Sequence, residues 1–204
     1  MVQSANGWVS CRRRGSYAPR TKGSPYDGGV RSPVIVSWPA RIKPAVSDAL
    51  VSSIDVVPTV LAAAGAKQPS KALPGTNLLP IMTGEDDLDA RAIFGESFAR
   101  DTGDFRNPEA TLLKRWVIRG SYKLILTYDG AGSYSGGRDR PVDVPELFDL
   151  MKDPYEETNL HGELPEVAEG QAPSAVRPAL TGVAGALRAE LERWYPLKER
   201  RVVE

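Results

Sequence analysis

The sequence has one cysteine and one histidine in 204 residues. Cys11 has no second thiol in the chain, so an intrachain disulfide is excluded, and the compartment cannot be read from it. His161 stands without a neighbouring set of metal ligands, and its expected role is a surface or structural one. No apolar run approaches the roughly 20 residues that a membrane-crossing helix needs. Neither sign of charge prevails, since 26 basic residues stand against 26 acidic ones. Whole-chain charge therefore gives no argument for a nucleic-acid or membrane partner. No internal repeat is visible. Met1-Val2-Gln3-Ser4 leads into a polar segment, and no export signal is expected there.

What the chain does have is turn chemistry: 17 prolines and 19 glycines make it loop-rich. The length suffices for one or two compact units. The one basic cluster, Arg12-Arg13-Arg14 with Arg20, Lys22 and Arg31 nearby, is expected to be a solvated loop before it is an anion site.

One stretch organises the rest. Lys22-Gly23-Ser24-Pro25-Tyr26-Asp27-Gly28-Gly29-Val30-Arg31-Ser32-Pro33 precedes the apolar run Val34-Ile35-Val36-Ser37-Trp38. The paired glycines are expected to adopt backbone angles that other residues resist. The Val/Ile-rich run, bounded by prolines, reads as a buried strand. A polar loop at the end of a core strand is where ligands usually sit in open α/β sheets.

Lys-Gly-Ser-x-Tyr-Asp-Gly-Gly-Val-Arg-x-Pro closely resembles the late active-site segment of the type I sulfatases, within the alkaline-phosphatase-like superfamily. The usual spelling there has glutamate where this chain has Asp27. The resemblance implies that Lys22 touches the substrate. Ser4-Ala5-Asn6-Gly7 resembles the family's Ser-Asp-Asn-Gly, whose Asp and Asn give oxygen ligands to a divalent cation, usually calcium. Hard cations take carboxylates and amide carbonyls. Asn6 matches as a metal ligand, but Ala5 replaces the aspartate, and a methyl group cannot coordinate. Read alone, Asn6-Gly7 is a plain turn.

Further along, a helix is expected over about 53–64, capped by Ser52 or Ser53, with Asp55 in its first turn. Ile54, Val57, Leu61 and Ala64 fall on one face at helical spacing. Asp55 reads as a capping carboxylate, not a catalytic one. Pro74 to Gly84 contains a short apolar turn or helix, and Glu85-Asp86-Asp87 reads as solvated acid. Residues 92–97 read as the last strand of the main sheet. Residues 115–128 read as a β-hairpin around Gly120-Ser121, with Leu124, Leu126 and Tyr128 on one face and Lys123 and Thr127 on the other. Glu146 to Leu150 reads as a third strand. Glu-Leu-Phe-Asp-Leu, then Asp153-Pro154, Glu156 and Asn159-Leu160, resembles the closing signature of sulfatase C-terminal subdomains. A last helix is expected from about Pro178 to Tyr195, with Leu180, Val183, Leu187, Leu191 and Trp194 as its apolar stripe.

In sulfatases the nucleophile is a hydrated aldehyde made from Cys or Ser inside Cys/Ser-x-Pro/Ala-x-Arg. That motif is absent from these residues. Cys11-Arg12-Arg13-Arg14-Gly15 lacks the small residue or proline at its third position and is rejected. The early Asp-Asp metal pair is absent too. Rate in such hydrolysis comes mostly from positioned charge and an activated nucleophile.

The resemblance thus covers the C-terminal portion only. It implies an α/β fold: part of an alkaline-phosphatase-like mixed sheet over 1–109, then a small antiparallel sheet with a C-terminal helix over 110–204. The implied function is that of a sulfate-ester hydrolase fragment, inactive alone. The implied substrates are sulfated small molecules or glycans. The alternatives are a non-catalytic module that pairs with a separately encoded N-terminal half, and a phosphoesterase of the same superfamily. Sheet edges left open are expected to cause self-association. Family members are often periplasmic or secreted; the residues leave localisation open.

Overall fold

The computed structural model describes residues 2–4, 11–12, 16–17, 23–67, 69, 72–85, 88, 91–99, 106–129, 144–161, 173–198 and 201–203, with the backbone alone for 2–4, 11–12, 16–17 and 173–179. In chain order the elements are β1 (Val2–Ser4), β2 (Cys11–Arg12), β3 (Ser16–Tyr17), α1 (Asp27–Val30), β4 (Val34–Val36), α2 (Val56–Ala63), α3 (Leu79–Thr83), β5 (Ala92–Phe98), β6 (Leu112–Arg119), β7 (Tyr122–Thr127), β8 (Glu146–Asp149) and α4 (Pro173–Trp194). They form two compact units, one of Met1–Ser4 with Pro33–Ile93 and the other of Ala5–Ser32 with Phe94–Glu204.

In the first unit, β1 pairs antiparallel with β4, Gln3 opposite Ile35. The 34–38 run was expected to be a buried strand. Only 34–36 is extended, and Ile35 is 57% exposed, because β1 is the one strand paired with it among the described residues. A 3-10 turn at Ser53–Asp55 leads into α2. The backbone N–H of Ser52 donates to Asp55 Oδ2 at 2.7 Å, which is the capping role expected of Asp55. The apolar face is not where the spacing puts it. Ile54, Val57 and Val60 are exposed, whereas Asp55, Pro58 and Thr59 are buried. Polar contacts turn the helix this way. Arg91 grips the Asp55 carboxylate with both terminal nitrogens, at 2.9 and 3.1 Å. The Thr59 hydroxyl accepts from the Leu78 N–H at 2.9 Å. The short apolar helix expected between Pro74 and Gly84 is α3, closed by Gly84 at φ 77, a left-handed cap that suits glycine.

The second unit is built on a four-stranded sheet ordered β5-β6-β7-β8. The expected hairpin is there, its tight turn opened by Gly120 at φ 58, with Arg119 opposite Tyr122. β8 pairs antiparallel with β7, Leu147 opposite Leu124. The strand at 92–98 joins this sheet beside β6 instead of ending a separate main sheet. Gly95 lets the ring of Trp116 approach it, since a Cβ there would lie 2.2 Å from the indole.

Period-two alternation gives the sheet two covered faces. Leu124, Leu126 and Leu147 line a cavity of about 340 Å³ together with Leu180 and Ala184 of α4. Leu187 and Leu191 of α4 are buried; each such leucine contributes roughly 1.5–3 kcal/mol. The helix starts at Pro173, earlier than the expected Pro178. Its C-terminal turn is tied to the sheet by Arg115, whose Nη2 donates to the Leu191 carbonyl at 3.1 Å. Phe94 and Trp194 stack with centroids 4.8 Å apart. The opposite face carries Lys123, Ile125, Glu146 and Phe148, and there the chain lays down Tyr26.

Candidate functional site

Lys22 and Asn6, the expected substrate and metal contacts, lie outside the described residues, as does Ala5. Gly23 has a φ of 92, in the region that favours glycine. Ser24, Tyr26 and Asp27 then go under cover. The paired glycines behave otherwise than their sequence suggests. Gly28 and Gly29 sit in the single helical turn α1, with no positive φ. The Gly29 and Val30 N–H groups donate to the Tyr26 carbonyl at 2.7 and 3.0 Å.

Tyr26 anchors this turn on the sheet. Its hydroxyl donates to the Glu146 carboxylate, 2.8 Å from Oε1 and 2.9 Å from Oε2. Its ring meets Phe148 edge-on, with centroids 6.1 Å apart. Lys114 Nζ lies 5.8 Å from the Tyr26 ring centroid. Asp27 follows with an ionic contact: its Oδ1 accepts from Lys123 Nζ at 3.0 Å. The same ammonium lies 2.8 Å from Glu156 Oε1. The other oxygen of Glu156 accepts the backbone N–H of Asp27. That N–H opens α1 and has no partner within the helix, so the carboxylate satisfies it.

The cluster is closed to solvent. The Lys123 side chain is 0% exposed and that of Glu156 1%. Burial pushes the Glu156 carboxyl above its ordinary range; Lys123 and the Asp27 N–H oppose that shift, and the Asp27 charge adds to it. The two carboxylates share this buried ammonium, and Arg31, exposed, lies 3.7 Å from Asp27 Oδ2; removing one buried partner of such a set is strongly destabilising. An ammonium sealed this way cannot reach a substrate. It clamps the Asp27 carboxylate to that of Glu156, which in turn holds the backbone at Asp27.

The clamp joins the two stretches that carry the sequence resemblance. Tyr26 and Asp27 come from the Lys22 segment; Glu146, Phe148 and Glu156 come from the closing signature. Lys123 went unrecognised as a member. Its signal was a lysine alternating with Ile125 in a strand of β-formers, on a face that proves to be covered. Asp55, by contrast, is held by Arg91 and two backbone N–H groups. Burial would raise its carboxyl, but the hydrogen bonds from Arg91, Thr76 and Ser52 outweigh that and leave it below the ordinary range. His161 lines the cavity under α4, and its backbone N–H donates to Asn159 Oδ1 at 2.8 Å. Among the described residues no group of three or more His, Cys, Asp or Glu could hold a metal ion, and no helix is long and apolar enough to cross a membrane.

Residues 20–172 match the family described as N-sulphoglucosamine sulphohydrolase, C-terminal. The chain is 34% identical over 149 residues to bovine arylsulfatase A, covering 72% of this chain and 29% of that protein. It is 31% identical over 152 residues to an N-acetylgalactosamine-6-O-sulfatase of Bacteroides thetaiotaomicron, covering 72% and 27%. A Bacteroides thetaiotaomicron protein solved for work on the metabolism of multiple glycosaminoglycans superposes with a TM-score of 0.58 at 26% identity, covering 86% of this chain and 31% of that one. The chain thus spans less than a third of either curated relative's length.

Proposed function

The chain belongs to the sulfatases, matching their C-terminal part, and from that premise we propose that it supplies the Lys22-bearing segment, and the sheet that seats it, to a sulfate-ester hydrolase. The carrying observation is the seating itself. The Tyr26-Asp27 turn, four residues after Lys22, is bonded to Glu146, Lys123 and Glu156. Lys22 contributes a positive charge to the anionic oxygens of the ester, where a fixed cation stabilises charge that develops in reaction.

By itself the chain turns over nothing. These residues hold no Cys/Ser-x-Pro/Ala-x-Arg segment from which the attacking group could be made. Nor does the donor set fit calcium: Asn6 offers one amide oxygen, and Ala5 offers none, against the six to eight oxygens such an ion takes. No step is therefore assigned to a metal on this chain. Catalysis requires the front part of a sulfatase, which carries those groups. The exposed Ile35, Ile54, Val57 and Val60 of the first unit, with an apolar groove of about 260 Å³ between Val36, Trp38, Val56 and Met82, support burial against such a part. The substrate class is a sulfated glycan or related sulfate ester, in keeping with the N-acetylgalactosamine-6-O-sulfatase among the relatives.

The test is an assay on p-nitrophenyl sulfate with calcium. The purified chain gives no turnover. The chain mixed with a sulfatase front part that carries the modified Cys/Ser motif gives turnover that Lys22→Ala abolishes. Lys22-dependent turnover by the chain alone overturns the inactivity; reconstituted turnover indifferent to Lys22→Ala overturns the role of that residue.

A further inference from the structure

We propose that Glu156 is a positioning residue, which with Lys123 fixes the peptide at Tyr26–Asp27 and so holds the segment that follows Lys22 on the sheet. The inference deepens the reading above, since it rests on Lys22 being the group that needs placing.

The backbone of Glu156 is the first argument. Among the described residues it is the one non-glycine residue with positive φ, at 57°. That region is unfavourable for a residue with a Cβ. The surrounding turn enforces it. The Glu156 N–H donates to the Asp153 carbonyl at 3.1 Å. The Asp153 carboxylate accepts from the Glu157 and Thr158 N–H groups at 3.0 and 2.8 Å. A turn there could be made at lower cost with glycine. The conformation points a long acidic side chain inward, and strain held by its surroundings is a mark of functional placement.

The second argument is where the carboxylate ends. One oxygen meets Lys123 and the other takes the Asp27 N–H. Lys123 reaches back to the Asp27 side chain. Glu156 therefore holds both the backbone of residue 27 and the cation that holds its side chain.

The third argument is reach. Lys22 is four residues from Tyr26, so the two Cα atoms are at most about 14 Å apart. Fixing the end of so short a tether restricts its beginning. Displacing a reacting group by about 1 Å can cost about a hundredfold in rate.

The experiment is amide hydrogen exchange on the full chain, read at 23–31 and at 112–127. It needs no substrate, so its outcome is independent of the assay on Lys22. Two variants are used: Glu156→Gln, which removes the charge, and Glu156→Gly, which removes the carboxylate and relieves the φ strain. In both, exchange at 23–31 is expected to rise at least about tenfold more than at 112–127, a local opening. Unchanged exchange at 23–31 in both variants overturns the proposal. So does a rise at 23–31 that 112–127 matches, because Glu156 would then serve the fold as a whole.

Discussion

The ammonium of Lys123 lies 3.0 Å from Asp27 Oδ1, across 96 residues of chain. This contact brings the segment after Lys22 onto β7, an inner strand of the four-stranded sheet. The second partner of Lys123 is Glu156 at 2.8 Å, which makes a triad on one buried ammonium; the exposed Arg31 adds a weaker contact, 3.7 Å from Asp27 Oδ2. Such a triad adds little against a well-packed apolar equivalent, but it is damaging to break.

Lys123→Met removes the buried ammonium that Asp27 and Glu156 share, and the exposed Arg31, 3.7 Å from Asp27 Oδ2, replaces little of it. The expected loss is roughly 3–5 kcal/mol of stability, read from urea unfolding followed by tryptophan fluorescence. Lys152 serves as the control. Its side chain is 83% exposed and lies 3.5 Å from Asp149, so Lys152→Met changes stability by about 1 kcal/mol or less.

Tyr26→Phe keeps the ring against Phe148 and removes only the hydroxyl. Glu146, 2% exposed, loses the Tyr26 hydrogen bond. A cost of roughly 1–3 kcal/mol is expected, measured by thermal or urea unfolding. Wild-type stability in this variant would mean that the hydroxyl contact contributes nothing.

Two carboxyls give opposite slopes with pH. Asp55 has a folded pKa below its ordinary 3.8. Its contribution is complete above 3.8 and is lost as pH falls through the folded value. Glu156 has a folded pKa above its ordinary 4.5. In the window above 4.5 the folded state binds more protons than the unfolded one, so stability falls as pH rises through it. Urea midpoints at a series of pH values check both signs. Asp55→Asn is expected to flatten the acid limb below 3.8, and Glu156→Gln to flatten the limb above 4.5.

Two glycines differ in what a methyl group would meet. At Gly75 a Cβ would lie 2.1 Å from the carbonyl oxygen of Ile54, which is backbone; at Gly182, within α4, nothing lies within 4 Å. Gly75→Ala is expected to destabilise by about 1–3 kcal/mol. Gly182→Ala is expected to stabilise by about 0.4–1 kcal/mol. Thermal unfolding of the pair decides it.

Elements whose signal is local could be read in the residues. Gly120-Ser121 between two runs of β-formers gives the hairpin and its register, and Leu187 and Leu191 fall on the buried face of α4 as their spacing requires. Signals that depend on distant partners could not. Apolar periodicity in α2 pointed Ile54 and Val57 inward, whereas the Asp55–Arg91 pair, 36 residues apart, turns the polar side in. The Val34–Val36 run reads as a core strand, yet has one described neighbour. Of the site, the two signature segments were legible singly. Their meeting at Lys123 was not, because nothing in a lone alternating lysine names Asp27 and Glu156 as its partners.

A double-mutant cycle on Asp27 and Lys123 tests the seating of the Lys22 segment most directly. Asp27→Asn, Lys123→Met and the double variant are compared with wild type by urea unfolding. The predicted result is a coupling of roughly 0.5–3 kcal/mol, with the double variant less damaged than the two single losses added together. Additive losses, within about 0.3 kcal/mol, would contradict the account, because the segment after Lys22 would then not be held by the sheet through this pair.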